Sequence, residues 1–168
     1  MEIKSTIKAR NGDVYDVEYY DAENYEAVRE KGVIHVCAFC FCDGKFLVVH
    51  DKDRKSWSPA GGGIDEGETI EEALVREIQE ESNMKTLHHQ IIGHQEIHEP
   101  HQLTVQTRSF CVVEPHGEFL CDPAGDVDEI RLIDPKDYKQ YFNWGEVGDH
   151  IMNTALEMLG RYNFDKNN

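Results

Sequence analysis

Positive charge is what this sequence has least of. Seventeen Lys and Arg stand against thirty-three Asp and Glu in 168 residues, a formal net charge of −16. A chain this acidic repels nucleic-acid phosphates and anionic membranes, so neither is expected as a general partner. It also repels a small anionic ligand unless a cation stands between them. Long apolar runs are missing, so no membrane span is predicted, and MEIKSTIKAR lacks the apolar core of a signal peptide. A cytoplasmic setting is the expectation. Cysteine is sparse and odd in number, five residues with no evident disulfide framework. Cys37 and Cys40 form a CxxC within HVCAFCFC, but on a strand they point to opposite faces, and there is no second pair. They are read as small buried residues of a reducing compartment.

What is present is ordinary for a globular chain: 39% hydrophobic and 30% charged residues, without repeats, low-complexity tracts or long linkers. One domain over 1–168 is expected, with an N-terminal hairpin and connecting segment at 1–31 and a core at 32–162. Strands over 3–10 and 13–20 flank Asn11-Gly12, a two-residue hairpin signal. A polar, helix-prone segment covers 21–31. VIHVCAFCF and KFLVVH read as strands joined at Asp43-Gly44, and SWSPAGGGID as an extended, glycine-rich stretch. A helix is predicted over 69–82, its stripe made by Ile70, Ala73, Leu74 and Ile78. Strands follow at 87–98 and 103–114, then a short IRLI strand. DPKDYKQYF starts like a helix, with Pro135 after Asp134 as in a capped first turn, and a last helix runs over 144–161 with Val147, Ile151, Ala155 and Met158 on one face. The whole is of the layered α/β class, a mixed sheet with helices packed on it.

The 69–82 helix carries its acids in two groups. Glu68, Glu71 and Glu72 sit at the N-terminal end, where the helix dipole favours carboxylates. Glu77, Glu80 and Glu81 fall at i, i+3 and i+4 near the C-terminal end, where dipole and mutual repulsion both oppose them. A divalent cation removes that conflict. Oxygen donors without His or Cys among them suit Mg²⁺ or Mn²⁺. Spacing alone leaves a solvated acidic face as the other reading. Gly61-Gly62-Gly63 just before the helix permits a close backbone approach, and a carbonyl there (Gly62) is a candidate to complete an oxygen shell.

These residues resemble the Nudix box: Gly62, five residues, Glu68, seven residues, Arg76-Glu77-Ile78, one residue, Glu80-Glu81, one residue, then Asn83 and Met84. Asn83 stands where the box has glycine, at the residue just after the helix, where Asn is the usual second choice for a left-handed conformation. The resemblance implies an α/β/α sandwich with a mixed sheet. It implies hydrolysis of a nucleoside diphosphate linked to another moiety: a nucleotide, a nucleotide-sugar or an ADP-ribose-like compound. Glu77, Glu80 and Glu81 would ligate Mg²⁺ (or Mn²⁺). Arg76 would hold Glu68 or one of the ligands, and Gly61 and Gly63 would be structural. In this family the general base is a box glutamate or an acid on a later loop. GDVDEIRL offers Asp126, Asp128 and Glu129, of which Glu129 is preferred.

Weaker signals bear on the substrate. His88, His89, His94, His98 and His101 cluster in the sequence, but a strand and loop do not supply the i, i+4 geometry of a zinc pair. Glu96, His98 and Glu99 are candidates to face the substrate, and Pro100 falls about where family members acting on ADP-ribose carry a proline. Trp57, Phe41, Tyr19 and Tyr20 are candidates to stack on a base, with core packing the competing reading. The hairpin resembles strands with which such enzymes dimerise. A catalytic pyrophosphohydrolase is set against a non-catalytic nucleotide-binding or regulatory domain, which intact acids disfavour. RNA-end processing conflicts with the charge.

Overall fold

The computed structural model describes every residue from Met1 to Asn168. Its strands are β1 (Glu2–Lys8), β2 (Val14–Asp21), β3 (Val33–Cys42), β4 (Lys45–Asp51), β5 (Ser56–Ser58), β6 (Ala60–Gly63), β7 (Met84–Glu99), β8 (Gln102–Pro115) and β9 (Val127–Ile133). Its helices are α1 (Ile70–Ser82) and α2 (Gly145–Lys166). All nine strands join one sheet in the order β1-β2-β7-β8-β3-β4-β5, with β6 also on β3 and β9 also on β4. The β3–β8 pair is parallel and the others antiparallel, so the sheet is mixed.

Strand alternation through VIHVCAFCFC divides the interior. Cys37, Phe39 and Phe41 enter one core with Val147, Ile151, Met152 and Ala155 of α2. Val36, Ala38, Cys40 and Cys42 enter the other with Ile70, Ala73, Leu74 and Ile78 of α1. Burial on both faces accounts for the unbroken apolar run of β3. Each large aliphatic side chain so buried contributes about 1.5–3 kcal/mol. The result is the expected three-layer α/β/α sandwich, and all five cysteines are free.

Three local expectations change. The β1–β2 connection is longer than the two residues Asn-Gly suggests: Ala9 still donates to the Asp13 carbonyl at 2.7 Å. The Asn11 side chain accepts the Asp13 N–H at 3.0 Å and builds its own turn. The 21–31 segment is helical only as a 3-10 turn over Glu26–Lys31, stopped by Gly32 at φ +72°. The last helix continues to Lys166.

One feature of the sheet makes room for a site. β4 pairs with β3 only at Phe41 and Cys42, whereas β6 takes the same edge at His35–Ala38. The edge of β3 is thereby shared, and a cleft opens beside β6. Gly61 is needed for this approach, because a β-carbon there would collide with the Val36 carbonyl.

Candidate active site

Thr69 caps α1 by accepting the Glu72 N–H at 3.1 Å, and Asn83 ends it at φ 52°, ψ 34°, donating to the Gln79 carbonyl. Asn83 thus adopts the left-handed conformation expected of the glycine it replaces. Its amide also donates to the Glu118 carbonyl at 2.9 Å, which ties down the loop before β9. With its ends fixed, α1 lays one face along β6, and Glu77, Glu80 and Glu81 share that side.

Glu81 is the most enclosed. Its carboxylate accepts the Gly61 N–H at 3.1 Å. Burial, with the charges of Glu77, Asp122 and Asp126, pushes its pKa up to about 8. Glu77 is also raised, by burial first, while Arg76 pulls it down and Glu80 and Asp122 push it up. Gly62 lies flat against Glu77, and any β-carbon there would overlap the carboxylate.

Arg76 organises the group. Its guanidinium donates to Glu68 at 2.7 and 3.0 Å, to Glu77 at 2.8 Å, to Glu80 at 3.2 Å and to the Gly63 carbonyl at 2.9 Å. Glu68 in turn accepts the Asp65 N–H and is held below the usual carboxylate range, chiefly by Arg76. One cation thus anchors the loop, the strand and two helix acids.

A cavity of about 450 Å³ opens beside these groups, lined by Gly61, Gly62, Glu81 and Asp126 at one end and His35, Gln106, Arg108 and Trp144 at the other. Asp122, 6% exposed, builds the Asp126 corner by accepting the N–H groups of Ala124, Asp126 and Val127. His35 is held neutral, its pKa lowered to about 4 by burial and then by Arg108 and Arg54.

Several sequence candidates lie elsewhere. Glu129 is on β9, beside the cavity rather than in it, and accepts from Arg131 at 3.1 Å. β9 begins at Val127, so the last loop acid to reach the cavity is Asp126. Asp128 turns to His50. Trp57 also stays outside the cavity: it packs against the α2-side core, edge-on to Tyr141, with the Arg131 guanidinium 4.6 Å over its ring. Glu96 and His98 are separated from the cavity by the sheet itself. His35 pairs with Gln106 and Gln106 with Gln95, so Glu96, one residue on, faces the opposite side. There Glu18, Glu96 and His98 bring ligand atoms within 4.8 Å of one another. Tyr20 already donates to Glu18, and His94 and Lys31 pair with Glu96. Glu99 and Pro100 sit at the tip of the β7–β8 hairpin, while Tyr19 and Phe41 are core residues. Tyr20 stacks on His94.

Asp122, His35, Gln106 and Arg108 escaped the sequence reading. The available signal was a charged residue within an otherwise apolar strand, Arg108 in TRSFCVV.

The NUDIX domain family model matches residues 32–153. The chain belongs to the Nudix family. These are hydrolases acting on phosphoanhydride bonds, and this chain is one of them. Among solved structures, a mutant form of the Bacillus subtilis pyrophosphohydrolase BsRppH superposes with a TM-score of 0.68 at 18% identity, over 93% of this chain and 98% of that one. A NUDIX-family hydrolase from Clostridium perfringens gives 0.55 at 20% identity, over 74% and 96%. A UDP-X diphosphatase gives 0.59 at 14%, over 79% and 68%. At such identities the likeness establishes the fold. No curated protein sequence matches this Nudix chain. No helix is long and apolar enough to cross a membrane.

Proposed function

We propose that this Nudix chain is a Mg²⁺- or Mn²⁺-dependent pyrophosphohydrolase that cleaves a nucleoside diphosphate linked to another moiety. The observation that carries the reading is the approach of two box glutamates to the glycine strand, Glu77 against Gly62 and Glu81 on the Gly61 N–H at the cavity wall, with Glu81 half-buried and its pKa raised and Glu80 tied to Glu77 through Arg76. Arg76 pairs with Glu77 and Glu80 but not with Glu81, so partly enclosed like charges outnumber their counter-ion, and a divalent cation relieves the imbalance. The donors are all carboxylate oxygens, the set that suits a hard cation. Glu77, Glu80 and Glu81 would hold the ion, and the carbonyl of Gly62 is the backbone candidate. When bound, the ion neutralises the diphosphate, polarises its phosphoryl oxygen and lowers the pKa of attacking water.

The chain's own residues do the rest. Arg76 fixes Glu77 and Glu80 through charge-assisted bonds, so neither reorganises when substrate arrives. Gly62 leaves the Glu77 carboxylate its place beside the strand. Asp126 lines the cavity wall and in this reading it, in place of Glu129, takes the proton from water. The cavity accepts a small nucleotide-type substrate. We include in this reading one domain over 1–168, a cytoplasmic setting, and the β1 edge of the sheet as the place for a homodimer.

The test is turnover of a panel of nucleoside diphosphate derivatives with Mg²⁺ or Mn²⁺ and identification of the products. Cleavage at the diphosphate, abolished in Glu80→Gln and Glu81→Gln, supports the reading. Full activity in those variants defeats it.

A further inference from the structure

Arg108 is the unexplained group of this molecule. It is 4% exposed, yet no carboxylate pairs with it, and buried arginines ordinarily have an ionic partner. Its Nη atoms donate to neutral oxygens only, the Thr107 carbonyl and Gln106 Oε1, both at 3.1 Å. Its Nε has no partner at all, and neither has Nδ1 of the neighbouring His35. The guanidinium lies over the Trp144 ring at 5.2 Å. That contact holds its plane in place and leaves its charge without a counter-ion.

Its position relative to the acids follows from the sheet. Arg108 pairs with Cys37, and Cys37 with Gly61, whose N–H binds Glu81. Arg108 is therefore two strands from the acid end, about 10 Å at about 4.8 Å per strand. Both ends line the same cavity. Arg108 and Trp144 are also walls of an adjoining cavity of about 760 Å³, bounded by Ser5, Lys8 and Gln95. Space therefore continues past the guanidinium. Arg54 and Asp51 also line the first cavity, a cation and a carboxylate paired loosely at 3.8 Å.

We propose that Arg108, supported by Gln106, His35 and Trp144, is a subsite for a further phosphate of the substrate, about 10 Å from the metal end. This rests on the hydrolase reading above and narrows it to polyphosphorylated nucleotides. The phosphate belongs either to a linear polyphosphate chain or to the group on the far side of the scissile bond. In both cases the guanidinium gains the anion it lacks, and its fork suits phosphate geometry.

Two experiments test the subsite. The first is calorimetric titration of inorganic triphosphate in metal-free buffer, where the acid end offers no attraction. The wild type binds. Arg108→Gln weakens binding about ten- to a hundredfold. Gln106→Glu, which supplies the missing carboxylate without removing Arg108, weakens it similarly while the melting temperature holds or rises. Glu81→Gln binds at least as tightly as wild type. No binding by the wild type, or equal binding by Gln106→Glu, overturns the proposal. The second is kinetic, with Mg²⁺. Adenosine tetraphosphate is compared with ADP, and ADP-ribose phosphorylated on its distal ribose with plain ADP-ribose. The pair in which the extra phosphate lowers KM identifies its source, and Arg108→Gln erases that preference while Arg108→Lys keeps part of it. If neither pair shows a preference, the subsite is wrong. If nothing turns over, the hydrolase reading fails, and the triphosphate titration still decides the subsite.

Discussion

At one end of the cavity Glu81 and Asp126 form the wall, with Glu77 against Gly62, Asp122 behind Asp126 and Glu80 held beside Glu77 by Arg76. At the other the Arg108 guanidinium lies on an indole beside two neutral side chains. The acid end is an excess of negative charge held by one arginine, Arg76, which itself bonds to four partners. The cationic end is a deficit: Arg108 has hydrogen bonds but no counter-charge. Each end is unsatisfied alone and in opposite sense. A metal ion answers the first and an anion the second, so one metal-bound polyphosphate spanning the cavity would satisfy both. Such a pairing would explain how a chain of charge −16 binds an anion.

If the two ends divide chemistry from recognition, substitutions should separate kcat from KM. The largest effect belongs to the acid end. Glu80→Gln and Glu81→Gln should each lower kcat by about 10²–10⁴-fold, comparable to losing a catalytic proton-transfer or metal-holding group; steady-state kinetics on the best substrate checks this. A kcat that stays intact while KM rises would show that the acid end only binds. Asp126→Asn should cost about 10²-fold in kcat, whereas Glu129→Gln, on the far side of Val127, should stay within about twofold. The reverse order would return the base to Glu129. Arg76→Lys, which keeps the charge but loses the fork, should lower metal-supported activity about 10–100-fold. A Mg²⁺ titration separates weakened metal affinity from a lower maximum rate.

Stability sharpens the same contrast. The Glu81 pKa is raised on folding, so its contribution to stability is full below about pH 4.5 and is lost as pH rises through about 8. Metal-free protein should therefore melt lower at pH 8 than at pH 5. Glu81→Gln should recover on the order of 2 kcal/mol at pH 8, about 4–8 °C in Tm, and Mg²⁺ should raise the wild-type Tm most at that pH. Calorimetric scans across pH with and without Mg²⁺ measure this. A wild type whose Tm does not respond to Mg²⁺ would break the link between the enclosed acids and a cation. The smallest effect is expected at Asn83→Gly, about 0.5–1.5 kcal/mol by chemical denaturation, because either residue accepts φ 52° and only the side-chain bond to the Glu118 carbonyl is lost.

The acid end could be read from the chain because its residues lie on one helix, where spacing alone sets the shared face. Thr69, Asn83 and the stripe from Ile70 to Ile78 likewise announce α1 through local chemistry. Trp57, Glu96, His98 and Glu129 lie outside the cavity for a common reason. Proximity in sequence to the box or to a late loop does not say which face of a sheet a strand residue takes, and that depends on pairing with a distant strand. For Glu96 the deciding pairs run through Gln95, Gln106 and His35.

By itself, then, the sequence determined what local rules can determine: the elements, the capped helix, the acids on one face, and a charge that demands a cation for any anionic substrate. The tertiary structure decided what depends on non-local pairing. The shared edge of β3 opens the cleft, and parallel pairing with β8 places Arg108 in the same transverse row as Gly61. Folding also leaves that arginine buried without a carboxylate. The spacing of helix residues is set within a few turns of one chain segment. The partner of a buried charge is set only when segments seventy residues apart in sequence come to lie side by side, as about seventy separate Cys37 from Arg108.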